Sequence, residues 1–272
     1  LWYGLGVAYT QAALLDQDEQ SFENAIKFFT RALHLRSSTS YHFHFGLCLY
    51  KFAEVLHCQS LVERSITQFE QALKGQSNAI YVHPDWMFGY ACSLDLLGEF
   101  VENDNNYGKA LDILNNILIL HPNFPSIHYQ IALVYAHFGE SNYELKHFYQ
   151  ALHHFKIAKQ RDKENDHIIH DWALTLIHLG DLMDSKELSE QYFLEAEHKI
   201  IEAIKLGNTY AFYSLSCLYS LLKRYEKAIY FLQKAQVSGT LPNSKELLED
   251  DWLEGLRNTD EFQRFLQTTE SL

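Results

Sequence analysis

The chain has 272 residues, 47% hydrophobic and 21% charged, a balance that excludes a disordered polymer and fits one elongated domain or two ordinary ones. Its formal net charge of −13 opposes general nucleic-acid binding and adsorption to anionic membranes, both of which need an excess of Lys and Arg. With only 12 Gly and 4 Pro there is little turn punctuation for closely spaced strands, so long helices are expected.

No apolar run approaches the roughly 18 residues that span a bilayer, and no basic segment with an apolar core marks a signal peptide. The chain begins at Leu1 rather than Met, so upstream targeting is left open and a cytoplasmic location is the default expectation. Cys48, Cys58, Cys92 and Cys217 have no close-pair spacing and are expected as small buried hydrophobes in a reducing compartment.

From the N-terminus, Trp2-x2-Leu5-Gly6-x2-Tyr9 places a small residue three before a large one, and Ala25-x3-Phe29-x2-Ala32 follows. The next stretch, "YHFHFGLCLY" at 41–50, alternates like a strand and carries a His-x-His, but Gly46 and Leu49 repeat the Gly6 and Tyr9 spacing. Onward, the first small site is Gly6, Gly46, Ala91, Ala132, Ala173 and Ser216, and the large site is Tyr9, Leu49, Leu94, Tyr135, Leu176 and Tyr219. On the second helix the small site is Ala25, Ser65, Ala110, Ala151, Ala196 and Ala228, followed by bulky Phe29, Phe69, Leu114, Phe155, Ile200 and Leu232. A last small site holds Ala32, Ala72, Ile117, Ala158, Ala203 and Ala235, where Ile117 is the misfit. Small residues at fixed spacing let two antiparallel helices approach closely, and the bulky ones fill the remaining gap.

This pattern resembles the tetratricopeptide repeat, a helix–turn–helix unit that stacks into a solenoid. The resemblance implies an all-α, right-handed superhelix of antiparallel helix pairs, read as a single solenoid with repeats at 1–37, 38–80, 81–124, 125–164, 165–208 and 209–239. Segment 240–272 reads as terminal capping helices. The second-helix small sites are spaced 40, 45, 41, 45 and 32 residues apart, against about 34 for the family. Each of the first four units carries seven residues more than the family between its helix cores, about two turns, which leaves the buried face in phase. Capping boxes at Ser60–Glu63 and Ser141–Glu144 are expected to distribute the extra turns unevenly. Gly98, Gly139 and Gly180 are expected as C-cap glycines, and 99–106 as a loop.

Fifteen histidines require a metal site to be weighed. His42 and His44 lie two apart, about 200° around a helix, and cannot share an ion; His42 sits in the slot of Trp2 and is expected as a packed imidazole. His153 and His154 fail likewise. Asp166, His167, His170 and Asp171 are the best cluster, but suit a polar helix start better, so no metal and no cofactor is expected. No catalytic motif is present, and the chain is expected not to be an enzyme.

In tetratricopeptide arrays the first helices line a concave groove. By that resemblance the groove rings are Tyr3, Phe43, Phe88, Tyr129, His170 and Tyr213, with Val7, Leu47, Cys92, Leu133, Leu174 and Cys217 one turn on. Leu5, Phe45, Tyr90, Ile131, Trp172 and Leu215 are expected to fill the core instead, although rings at such positions also serve packing between repeats. The implied partner is another protein, presenting an apolar peptide or helix with a basic flank. The basic flank would answer acids at Asp16, Asp18, Glu19, Glu99, Glu102, Asp104, Glu140, Glu144, Asp181, Asp184, Glu187 and Glu190. The groove lacks the Lys, Arg and Asn of carboxylate-clamp members and is nearer the apolar-groove chaperones of secretion systems, which suggests a scaffold, adaptor or chaperone role. A monomer or weak homo-oligomer is expected. The rival expectation is a structural or self-associating protein whose stripe is covered by its own terminus or a second copy.

Overall fold

The computed structural model describes residues 1–16, 18–75, 83–101 and 103–269. Helices run in order as α1 (Trp2–Asp16), α2 (Glu19–Leu35), α3 (Thr39–Leu56), α4 (Gln59–Lys74), α5 (Pro84–Val101) and α6 (Asp104–Leu120). They continue as α7 (Ile127–Asn142), α8 (Leu145–Arg161), α9 (Asp166–Leu182), α10 (Lys186–Lys205), α11 (Ala211–Leu221) and α12 (Tyr225–Val237). The terminal segment holds α13 (Ser244–Glu249), a 3-10 turn at Asp251–Leu253, α14 (Glu254–Arg257) and α15 (Asp260–Thr269). No strand occurs among the described residues.

The chain divides into two compact units, Leu1–His147 and Phe148–Leu272, with the boundary inside α8. In the first, α1/α2, α3/α4 and α5/α6 pack as hairpins, and α2, α4 and α6 each pack on the next first helix. The first helices α1, α3, α5 and α7 also touch in succession. In the second unit, α9/α10 and α11/α12 form hairpins, α10 packs on α11, and the terminal elements close over α11 and α12.

The small–large pattern is what brings each hairpin together. All second-helix small and bulky sites are buried, from Ala25 and Phe29 to Ala228 and Leu232, and so is the misfit Ile117. A Cβ on Gly6 would stand 2.9 Å from the Phe29 ring, and one on Gly46 would stand 3.2 Å from Phe69, so bulk at either site forces the helices apart. Ser65 is tolerated among the alanines because its hydroxyl donates to the Gly46 carbonyl at 2.8 Å.

The extra residues of the long hairpins form a second layer of the same kind. Seven residues after each first small site stand Ala13, Ala53, Gly98, Gly139 and Gly180, all buried. Three before each second small site stand Phe22, Val62, Tyr107, Phe148 and Phe193, also buried. Seven residues shared between antiparallel helices add about one turn to each. Helices α1 to α10 accordingly span 15 to 20 residues, whereas α11 and α12, which lack the insertion, span 11 and 13.

Several local expectations give way to this layer. Gly98, Gly139 and Gly180 lie within α5, α7 and α9 rather than at their C-caps. A Cβ on Gly98 or Gly180 would stand 2.6 Å from the ring of Tyr107 or Phe193, so close approach explains two of these glycines. The capping boxes do not form: α4 starts behind Cys58, and Ser141 lies inside α7. The loop expected at 99–106 is mostly helix, since α5 runs to Val101 and α6 starts at Asp104. Caps that do form are side-chain bonds at other residues: Asp18 accepts from Gln20 and Ser21, Asn165 from Ile168, and Asn243 pairs with Glu246 in a capping box. The expected repeat boundary at 80/81 lies outside the described residues.

Gly98→Ala tests the extra layer. Helix propensity alone favours Ala by about 1 kcal/mol, but overpacking against a buried ring costs about 1–3 kcal/mol. A net loss of stability in urea unfolding is expected, with recovery when Tyr107→Leu removes the ring.

Candidate functional site

The expected groove rings of the first unit are half-buried, and Tyr3, Phe43 and Phe88 use part of their surface on neighbouring elements. Tyr3 stacks on Tyr41 at 4.5 Å and meets His44 edge-on at 5.4 Å. Phe43 stacks on Trp86 at 5.4 Å and meets Phe69 at 5.9 Å, while Phe88 lies 5.2 Å from Phe124. Tyr129, Val7, Leu47 and Leu133 are half-buried too, and Cys92 is buried. Tyr3 and Phe43 therefore pack between repeats, and none of the four rings is fully buried. The division from the core is less sharp than expected: Phe45, Ile131 and Leu215 are buried, but Leu5, Tyr90 and Trp172 are only half-buried. Tyr90 donates its hydroxyl to Glu70 at 3.3 Å, and the Lys199 ammonium sits 3.3 Å over the Trp172 ring.

On the same helices, one and two turns past the small sites, the apolar positions give way to polar ones. On α3, Tyr50 donates to Glu54, whose carboxylate pairs with Lys51 at 2.9 Å. On α5, Asp95 is buried and Glu99 lies one turn further on. Across from them His137 of α7 places Nδ1 at 3.1 Å from Asp95 and 3.2 Å from Glu99. Gln130 donates to the other Asp95 oxygen at 3.2 Å. Burial opposes charge on the His137 ring, but the carboxylates of Asp95, Glu99 and Glu140 outweigh it and hold the imidazole well above its ordinary range. Burial likewise pushes the Glu99 carboxyl up, against the opposing pull of His137. This cluster is absent from the sequence reading. The i,i+4 spacing of Asp95 and Glu99 is a weak signal, and His137 joins them only through helix stacking.

In the second unit the stripe meets the chain's own terminal segment. Tyr213 donates to Asp250 at 2.5 Å, Cys217 is buried beside the same carboxylate, and His170 bonds Ser214 at 2.7 Å. Together with Leu174, Leu241, Pro242 and Trp252 they line a cavity of about 510 Å³. Trp252 also packs on His178 at 4.6 Å. Of the Asp166, His167, His170 and Asp171 cluster, His170 keeps Nδ1 3.8 Å from Asp171 but turns Nε2 to Ser214, and among the described residues the one group placed to share an ion is Asp95, Glu99 and His137. His42 is a packed imidazole, with Nδ1 on Gln68 at 2.8 Å and Nε2 on Ser37 at 3.1 Å.

The acids do not all stand free at the hairpin ends. Asp18 caps α2, Glu99 turns to His137, Glu144 pairs with Lys146 and Glu190 with Lys186. Glu102 lies outside the described residues. No helix among the described residues is long and apolar enough to cross a membrane.

The fold defines the class: antiparallel helix pairs of tetratricopeptide type. A thermophilic tetratricopeptide protein of Thermus thermophilus, TTC0263, superposes with a TM-score of 0.56 at 17% identity, covering 86% of this chain and 100% of that one. PilW, described as a widely conserved type IV pilus biogenesis factor, gives 0.56 at 13% identity, covering 96% and 98%. Pseudomonas aeruginosa PilF gives 0.51 at 15% identity, covering 97% and 98%. At such identities the likeness is one of fold. No protein-family model and no curated protein sequence matches the chain.

Cys58 departs from the expected burial. Cys48, Cys92 and Cys217 are buried, whereas Cys58 is half-exposed at the N-cap of α4. A hydrogen bond from Ser60 and the backbone amides of α4 hold its thiol below the usual range, while burial pushes Cys48 up to about 12. A thiol reagent under native conditions is expected to modify one cysteine per chain rapidly, and Cys58→Ser to abolish that phase.

Proposed function

We propose that the chain is a non-enzymatic protein-interaction module that holds an apolar peptide or helical segment of a partner along its first helices, in a scaffold, adaptor or chaperone role. The observation that carries this reading is the half-buried apolar row Tyr3, Val7, Phe43, Leu47, Phe88, Tyr129 and Leu133, contributed by α1, α3, α5 and α7, which touch in succession. Cys92 lies buried beneath that row. A row of this kind on a folded surface marks an interaction patch, and rings already fixed by neighbours lose little entropy when they bind. Beside it, the carboxylates of Glu54, Asp95, Glu99 and Glu140 gather around Lys51 and His137, an acidic excess that favours a partner whose apolar segment carries a basic flank.

A second reading, in which the chain's own terminus answers the stripe, is favoured in the second unit, where the terminal segment shares one cavity with His170, Leu174, Tyr213 and Cys217 and Asp250 accepts from Tyr213. There the corresponding positions serve the chain itself, so partner binding is assigned to the first unit.

Because Phe43 stacks on Trp86 and Phe69, its truncation disturbs packing as well as binding. Leu47→Lys with Leu133→Lys is the cleaner test, since a lysine stem replaces the apolar contact and its ammonium reaches water. On an array of amphipathic peptides with basic flanks, the double variant is expected to bind at least about tenfold more weakly at unchanged helicity, the loss of a typical anchor. Equal capture by both proteins would sink the proposal, and a concentration-dependent dimer lost in the variant would favour self-association.

A further inference from the structure

We propose that Asp95, Glu99 and His137 form a binding site for a divalent transition ion, with Zn²⁺ the best match. Asp95 and Glu99 stand four apart on α5 and His137 approaches from α7, so packing of two helices converges one nitrogen and two carboxylate oxygens. Each group offers one ligand atom, and the three atoms lie within 4.8 Å of one another.

The separations fit an ion. Bonds of about 2.0–2.1 Å in tetrahedral geometry place neighbouring ligand atoms about 3.3 Å apart. His137 Nδ1 lies 3.1 Å from the Asp95 oxygen and 3.2 Å from the Glu99 oxygen. A proton serves this arrangement less well, because Nδ1 carries at most one hydrogen and cannot donate a straight bond to both carboxylates. An ion at the centre contacts all three.

Charge points the same way. Three carboxylates, those of Asp95, Glu99 and Glu140, act on a single imidazole, so the side chains gathered here carry more acids than one ring can answer, an imbalance a dication corrects. Gln130 holds the Asp95 oxygen that faces away from His137, at 3.2 Å, as the outer partners of metal-bound carboxylates do. Entry is open: Asp95 is buried, but the side chains of Glu99 and His137 are 43% and 25% exposed. One nitrogen and two carboxylate oxygens suit Zn²⁺ rather than Ca²⁺ or Mg²⁺, which take oxygen ligands alone. The fourth position is left for water.

The 272-residue chain, stripped of metal by chelator and dialysis, is titrated with ZnCl2 by calorimetry, and with Co²⁺ for its visible absorption. One saturable equivalent per chain is expected, with the intense d–d bands of tetrahedral Co²⁺ and a raised melting temperature. Glu99→Gln, at the exposed rim, and His137→Ala are expected to weaken that equivalent at least about tenfold, and Gln130→Ala by about tenfold. Glu99→Gln retains the fold, as read by its metal-free circular dichroism, even where His137→Ala does not. Absence of saturable binding by the unmodified chain overturns the proposal. So does undiminished affinity in Glu99→Gln, which assigns the ion to other histidines.

Discussion

Each unit depends on close contact between the two helices of its hairpins, where a small residue on the first helix faces a ring or branched chain on the second. Removing a side chain from one helix lets the other's ring reach the backbone, as Phe69 does at Gly46 and Tyr107 at Gly98. The attraction is the burial of those rings and the dispersion of many short contacts. Its cost is intolerance of bulk at the small sites. Helix stacking, the half-buried stripe and the polar cluster are arranged around it, because a fixed distance within each hairpin fixes which faces of the first helices turn away from their partners.

That constraint was legible where it repeats. Five sites agreeing in size across six units placed the helices, and every second-helix site in the pattern is buried, from Ala25 to Ala235. The insertion was visible as a length but not as a layer, because its small residues are Ala13, Ala53, Gly98, Gly139 and Gly180. Three of these are glycines, and a glycine near the end of a hydrophobic pattern reads as a helix stop. Only the ring opposite shows that Gly98 and Gly180 are contact points instead. Capping boxes misled for a related reason: Ser60 and Ser141 have the right local sequence, but tertiary packing carries helix α7 past Ser141 and starts α4 ahead of Ser60.

The candidate site was legible in composition and obscure in context. The aromatic row was readable as a period, yet whether a ring is core, interface or surface depends on its neighbours. Phe43 is partly all three, lying between Trp86 and Phe69 with an edge exposed. The cluster of Asp95, Glu99 and His137 joins residues 42 positions apart between its extremes, a proximity that no local motif encodes. In the second unit, Asp250 reaches back to Tyr213 across 37 positions, so the closing segment shapes the face that local reading left open.

The short last hairpin has a further meaning. At its tip the layer's large residue persists as Tyr225, but the matching small position is Lys223, which takes a left-handed turn instead. The missing small residue is supplied from elsewhere: a Cβ on Gly255 of the terminal segment would stand 3.0 Å from the Tyr225 hydroxyl. The terminus thus completes a contact that the earlier hairpins make within themselves. Hairpins of this chain are consequently not interchangeable parts. A long one spliced into the last position would bring its own glycine or alanine to that ring and compete with Gly255 of the closing segment for it.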